Sequence, residues 1–375
     1  MKLRAVENLF LRFFPVPRVL APARAGIDIS DRLVKCVVVE TGNPPAGGGA
    51  KIVGHMEKVL PAGVIEAGVI KNRDILQKTL ALLAEELSIK RVYASLPEDQ
   101  AYIFRLSLPP MLRADIRGAV ELRLEEYVPL GPQNTIFDYE ILSGPASGEA
   151  AREIQVTALP KTVVEEYSSV FTASGLTVEA FEIEAAALAR AFVYYGESEA
   201  VLLVDIGRVH TGFAIVAGGR VMFSSTIHNF GGEAITHNIS RALKVSMEEA
   251  EKIKITQGLN RSATNKDLFF ALIAVLSALK DEINKRYLYW QRDREDRDTF
   301  PYPLRRLILC GGQATLGGLV EYLSSNLEIP VEVGDPWINT GYAKTLPPFN
   351  RNKSLGYGTA LGLALRGVTL FNTHD

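Results

Sequence analysis

Three apolar runs in this chain end on an acidic residue or a glycine turn: Ala25-Gly26-Ile27-Asp28-Ile29-Ser30-Asp31, Val201-Leu202-Leu203-Val204-Asp205-Ile206-Gly207-Arg208 and Leu307-Ile308-Leu309-Cys310-Gly311-Gly312-Gln313. A buried strand that delivers an Asp to a tight turn places a carboxylate for Mg²⁺-bound water and aims backbone N–H groups at phosphate oxygens. Three such runs predict two similar lobes closing on one nucleotide. At 375 residues the chain is too long for one ordinary core, so two α/β domains are expected.

The net charge of −2 and the absence of a broadly basic lobe argue against nucleic acid as a partner. Cys36 and Cys310 sit in apolar strand-like runs, where a thiol acts as a small hydrophobe, and their spacing suits neither zinc nor a disulfide framework. A cytoplasmic location fits best. The sequence contains no run of about 18 apolar residues, so no transmembrane helix is expected.

Residues 1–14 form a separate amphipathic segment. Leu3, Val6, Leu9, Phe10, Phe13 and Phe14 share one helical face, Lys2, Arg4 and Arg12 lie elsewhere, and Pro15 and Pro17 end the pattern. The segment suits contact with an anionic membrane surface, or packing against the protein or a partner. Glu7 and the arginines interrupt any signal-peptide core.

Periodicity predicts strands at Ala25 to Ile29, Val34 to Glu40 and Lys51 to Val59, a helix over Arg73 to Leu87 and a strand at Arg91 to Ser95. The same order returns at Val201 to Ile206, Thr211 to Val216, Arg220 to His228 and a helix from Ala234 to Leu243. This recurrence suggests a duplicated α/β unit. Between the two copies lies a small α+β insertion: a strand at Ala101 to Leu108, a helix over Arg113 to Tyr127 stopped by Val128-Pro129, and strands at Phe137 to Leu142 and Glu153 to Ala158. The expected organisation is an N-terminal segment 1–24, a first lobe from 25–100 and 159–198, an inserted subdomain 101–158 and a second lobe 199–370.

Further motifs accompany the three loops. They are Glu125-Glu126-Tyr127-Val128-Pro129-Leu130 before Asp138-Tyr139, Ala173-Ser174-Gly175-Leu176, Ala187-Leu188-Ala189-Arg190, Phe230-Gly231-Gly232-Glu233-Ala234-Ile235-Thr236 and Leu361-Gly362-Leu363-Ala364-Leu365-Arg366-Gly367-Val368. In this order, from about residue 24 to 368, they resemble the actin-like ATPase superfamily and, within it, the PilM family of type IV pilus assembly. The resemblance implies a two-lobed α/β fold of the duplicated ribonuclease H-like kind carrying the α+β insertion, with ATP and Mg²⁺ between the lobes.

Read onto this chain, the resemblance assigns Asp28 and Asp205 to Mg²⁺ through water, with Ser30 and Lys35 at the phosphates beside the first loop. The family pattern there is Asp-x-Gly-Ser, whereas this chain has Asp28-Ile29-Ser30-Asp31-Arg32. A turn that needs positive φ is constrained without glycine, and Asp31 adds negative charge that Arg32 can offset. An ordinary hairpin turn with little nucleotide affinity is the alternative. In the second loop Gly207 and Thr211 supply a small turn residue and a hydroxyl. His210 is a proton acceptor or a solvent-exposed or structural imidazole.

Gly231 and Gly232 open a helix, as an anion site or as a hinge. In Ala250-Glu251-Lys252-Ile253-Lys254, the resemblance makes Glu251 and Lys254 nucleoside contacts; the residues alone read as a surface i,i+3 ion pair. On the resemblance, Gly311 and Gly312 would let the backbone pass beneath the base, with Gln313 replacing a third glycine; a strand-to-helix turn without ligand is the alternative. Glu184 stands where related ATPases carry an acidic residue between lobes, or is a solvated helix-end residue. No residue identifies itself as the water-positioning group, so slow or absent hydrolysis is expected.

The resemblance also implies a partner, the N-terminal cytoplasmic peptide of a PilN-like inner-membrane protein, held with the help of the inserted subdomain. That would place the chain at the inner face of the cytoplasmic membrane as an adaptor. The cytoplasmic component of a type II secretion system and a filament-forming actin-like ATPase remain as alternatives.

Overall fold

The computed structural model describes residues 23–41, 50–143, 152–228, 230–259, 266–295, 302–340, 342 and 348–369. The amphipathic pattern at 1–14 lies outside the described residues. Two five-stranded sheets form the frame, and they share one plan. In the first, β1 (Arg24–Ile29) pairs antiparallel with β2 (Leu33–Thr41), which pairs antiparallel with β3 (Ala50–Val59).

After a two-stranded hairpin of β4 (Ile65–Glu66) and β5 (Val69–Ile70) and the helix α1 (Arg73–Leu87), β6 (Arg91–Leu96) lies parallel to β1. Ala67 and Gly68 turn the hairpin with φ of 47° and 76°, as a two-residue turn requires. Sequence periodicity gives no sign of this hairpin because its strands are too short to alternate.

The insertion follows. Strand β7 (Tyr102–Leu108), helix α2 (Ile116–Arg123), β8 (Thr135–Ser143) and β9 (Arg152–Pro160) build a three-stranded antiparallel sheet in the order β7-β9-β8. Its core is separate: Leu106, Ile116, Val120, Leu124, Ile154 and Val156 are all essentially buried. The helix expected over 113–127 is shorter, flanked by 3₁₀ turns at Arg113–Asp115 and Leu124–Glu126. Tyr127 and Val128 amides both donate to the Leu124 carbonyl, which tightens the last turn before Pro129 restricts the chain. The insertion also leans on the second sheet, where the Gln155 amide donates to the Val221 carbonyl and Arg220 lies 3.6 Å from Glu140.

Helix α3 (Lys161–Ala173) and strand β10 (Thr177–Ile183), parallel to β6, complete the first sheet, and α4 (Glu184–Phe192) leads away from it. The second sheet comprises β11 (Ala200–Ile206), β12 (Thr211–Ala217), β13 (Arg220–Ile227), β14 (Leu304–Cys310) and β15 (Val331–Val333). Read as β3-β2-β1-β6-β10 and β13-β12-β11-β14-β15, the two sheets have the same strand order and directions. The helices of this half are α5 (Gly232–Leu243), α6 (Met247–Gln257), α7 (Lys266–Glu295) and α8 (Leu319–Asn326).

The last helices, α9 (Arg351–Leu355) and α10 (Gly358–Thr369), return to the first sheet. Helix α10 passes so close to β1 and α4 that a Cβ at Gly26 would lie 2.1 Å from the Ala360 carbonyl oxygen, and one at Gly362 would lie 1.8 Å from that of Ala187. Only glycine permits this contact. The last helix thereby closes the core of the first half.

Candidate nucleotide site

The three acidic or glycine-tipped loops meet in one cavity of about 970 Å³ between the sheets. Asp28 and Asp205 occupy matching places near the ends of β1 and β11, and both line it. The β1–β2 register sets Asp28 beside Lys35, whereas the corresponding partner of Asp205 on β12 is Gly212. Burial pushes both carboxyls up from their ordinary range; Lys35 and the Ser95 hydroxyl, 3.2 Å away, oppose this at Asp28, and His210 opposes it at Asp205.

The first loop departs from expectation. None of Ser30, Asp31 and Arg32 has positive φ, so the missing glycine imposes no backbone strain here. The Ser30 amide and hydroxyl both donate to the Leu33 carbonyl, at 2.9 and 3.1 Å, and close the hairpin. Asp31 turns its carboxylate to the amides of Ala67 and Gly68, which offsets the charge it would bring to a phosphate. Arg32 reaches across the cavity to Glu233, at 3.6 Å, and Glu233 also pairs with Arg208 at 2.9 Å.

The second loop keeps its Asp-x-Gly turn, with the Gly207 amide donating to the His210 carbonyl at 3.0 Å. Thr211 is corrected. Its side chain is fully buried and its hydroxyl donates to the Phe230 carbonyl, so it does not reach the cavity. The anion site expected at Gly231 and Gly232 is also closed. The Gly232 amide donates to the Gly207 carbonyl at 3.0 Å and the Glu233 amide to the Arg208 carbonyl at 2.8 Å, so the first turn of α5 is fastened to the loop. Gly232 lines the cavity, and Gly231 lies behind it.

In the third loop Gly311 has φ of 85°, and a Cβ there would lie 2.2 Å from Asp205 Oδ1. Gly312 faces open space. The Gln313 amide donates to the Ile206 carbonyl at 3.1 Å, and its side chain packs over Gly232. The residue that replaces a third glycine thus fills the gap between two loops.

Lys254 is not a surface residue. It is 3% exposed, and its ammonium contacts the Gly232 carbonyl at 3.2 Å, the Thr236 hydroxyl at 3.0 Å and the Glu251 carboxylate at 2.8 Å. Glu251 is half-exposed and lines the cavity beside it. The solvated reading of Glu184 fails too, because it opens α4 with only 15% of its side chain exposed and faces His210 Nε2 at 3.8 Å. His210 is equally enclosed, at 17%.

Two further acids escaped the sequence reading. Glu98 accepts from the Ser224 hydroxyl and the Ala185 amide, and Asp99 lies 3.2 Å from His228 Nε2. Both sit in the 3₁₀ turn Glu98–Gln100, where Pro97-Glu98-Asp99-Gln100 reads from sequence only as a polar turn. Among the described residues no cluster of three or more His, Cys, Asp or Glu side chains is arranged as a metal cage. Asp28 and Asp205 suit a different arrangement, a Mg²⁺ that keeps its waters and takes other ligands from phosphate oxygens.

The sequence model of the type IV pilus assembly protein PilM family matches residues 26–368. The chain belongs to that family. Its fold is actin-like. The PilM family chain is similar to the cell division protein FtsA of Neisseria meningitidis serogroup B, with 25% identity over 54% of this chain and 51% of that protein. It spans about half the length of the curated relatives it matches.

Among solved structures it is similar to a PilM–PilN type IV pilus biogenesis complex, with a TM-score of 0.75 and 22% identity over 94% of this chain and 99% of that one. It is also similar to MreB5 of Spiroplasma citri bound to AMPPNP, with a TM-score of 0.54 and 12% identity over 93% and 97%. These likenesses establish the actin-like fold. No helix among the described residues is long and apolar enough to cross a membrane.

Proposed function

We propose that this PilM family member is a nucleotide-binding adaptor of the type IV pilus inner-membrane platform, holding ATP with Mg²⁺ between its lobes and the N-terminal cytoplasmic peptide of a PilN-like membrane protein. The observation that carries the nucleotide reading is the convergence of two strand-borne aspartates, Lys35 and the glycine-tipped third loop on one cavity of about 970 Å³. Asp28 and Asp205 would hold metal-bound water, and Lys35 would meet phosphate oxygens. The backbone at Gly207 and Gly312 allows close approach, and Glu251 with Lys254 borders the nucleoside end. The MreB5 structure, described as bound to AMPPNP, supports this use of the fold.

The peptide reading draws on the likeness to a PilM–PilN complex, in which a protein of this fold is paired with PilN. Such a partner would localise the chain to the inner face of the cytoplasmic membrane. Hydrolysis is slow or absent on this reading, since an adaptor needs occupancy and not turnover. Calorimetry of the full chain with ATP and Mg²⁺, repeated with a synthetic N-terminal peptide of a PilN-like protein, tests both halves. Binding of each is the expected result; no heat with ATP sinks the nucleotide half, and no heat with peptide sinks the adaptor half.

A further inference from the structure

Two arginines from different lobes meet one carboxylate on the wall of the cavity. Arg208, in the turn after β11, donates from Nε to Glu233 Oε1 at 2.9 Å, and the Glu233 amide donates to the Arg208 carbonyl at 2.8 Å. That pair is fastened twice within the second lobe. Arg32, at the tip of the first hairpin, reaches the same Oε1 only at 3.6 Å, beyond hydrogen-bond distance. All three side chains line the cavity, and those of Arg32 and Glu233 are 31% and 38% exposed. A pair this open and this long is weakly held, because water screens it and both side chains lose freedom in making it.

The other cations around the two aspartates are committed. Lys35 donates to the Gly356 carbonyl, Lys254 is buried against a carbonyl, a hydroxyl and a carboxylate, and Arg208 is bonded to Glu233. A guanidinium carries five N–H donors in a planar fork, and among the described residues that of Arg32 has the ion pair with Glu233 and no hydrogen bond. Its main chain is fixed, since the Leu60 amide donates to the Arg32 carbonyl at 2.8 Å and the Ser30 amide closes the hairpin onto Leu33. The side chain can change partner while the hairpin stays in place.

We propose that Arg32 is a phosphate contact contributed by the first lobe, and that Glu233 of the second lobe competes with the nucleotide for it. The inference rests on the nucleotide reading above and adds the residue pair that sets how tightly the phosphates are held. A phosphate chain presents two oxygens at once to the guanidinium fork and carries more negative charge than one carboxylate, so it wins the exchange. Glu233 keeps its bond from Arg208 and is not left with an unpaired charge. Binding thereby replaces a direct tie between the lobes with one that runs through the nucleotide.

The test is a double-mutant cycle on the full chain, with Arg32→Gln, Glu233→Gln and both together, each titrated with ATP and Mg²⁺ by calorimetry. Arg32→Gln should lower ATP affinity about tenfold, the scale of a hydrogen bond to a charged group. Glu233→Gln should raise it about threefold, and the double variant should show no gain over Arg32→Gln alone. If Arg32→Gln does not fold, Arg32→Lys, which keeps the charge and loses the fork, carries the comparison with a smaller loss. A bridge that merely holds the lobes together would make both single variants bind ATP more weakly, and that result overturns the competition. A gain from Glu233→Gln that persists without Arg32 reflects the general field of the carboxylate and overturns it too. Equal ATP affinity in all four proteins overturns the inference and leaves the nucleotide reading standing; no ATP binding by any of them overturns both.

Discussion

The ammonium of Lys35, on the second strand, donates to the main-chain carbonyl of Gly356, 321 residues further along the chain. The same ammonium lies 5.7 Å from the centre of the Tyr357 ring. One side chain thereby ties the first hairpin to the turn between the last two helices, at the wall of the cavity. A phosphate would compete for this lysine. Lys35→Met is expected to lower ATP affinity about tenfold or more, and to cost about 1–2 kcal/mol of stability without ligand, because a hydrogen bond from a charged donor is lost. Calorimetry and urea unfolding check the two effects; unchanged ATP affinity would remove Lys35 from the phosphate end.

Gly362→Ala tests the closure of the core by the last helix. The new Cβ would overlap the Ala187 carbonyl, which is main chain in the middle of another helix and has little freedom to move. A loss of about 3 kcal/mol or more is expected, seen as a lowered urea midpoint with the fold class unchanged by circular dichroism.

Ser30→Gly separates the family pattern from the geometry of this chain. Since Ser30 has negative φ and its side chain closes the hairpin onto Leu33, glycine relieves no strain and removes a bond. ATP affinity is expected to change by less than about threefold and stability to fall by about 0.5–1 kcal/mol. A large gain in affinity would mean that the turn adopts another conformation around the ligand.

Lys254→Met removes a buried cation bonded to a carbonyl, a hydroxyl and a carboxylate. Methionine keeps the length of the side chain, and Glu251 remains half-exposed to water, so the loss is expected to stay near about 2 kcal/mol. Thermal unfolding of the variant, with and without ATP, separates this structural share from any share in binding.

The pH dependence follows from the same buried charges. His210 is raised from its ordinary 6.5 to about 10, so its contribution to stability is full below 6.5 and is lost as pH rises through about 10. Burial raises Glu184 from its ordinary 4.5 to about 7, with His210 opposing, and that too favours the protonated native state at lower pH. The native state then holds more protons than the unfolded chain, and stability should decline between about pH 6 and about pH 9. A melting temperature that rises over this interval would contradict both shifts. His210→Gln should flatten the upper part of the profile.

Much of the frame was legible in the sequence because burial imposes a period. Helix Arg73–Leu87 matches the expected bounds, and the repeated strand order emerges from two sets of apolar runs. The helix of the insertion was overextended because its spacing continues to Tyr127 although Pro129 has already tightened the turn. Lys254 shows the opposite failure. An i,i+3 acid and base on a helix carry no mark of which face is buried, and only packing against Gly232 and Thr236 makes the pair internal.

By itself the sequence determined that two aspartates and two glycine turns stand at the ends of buried strands, because strand length and turn chemistry are local. Which donors remain free there was decided by the tertiary structure. Thr211 and the amides of Gly232 and Glu233 look available in sequence and are engaged by neighbouring loops, while Glu184 and His210 look like surface residues and face each other across a buried gap. Hydrogen-bond partners far apart in the chain leave no local signature, so the state of a polar group is fixed only when the two lobes come together.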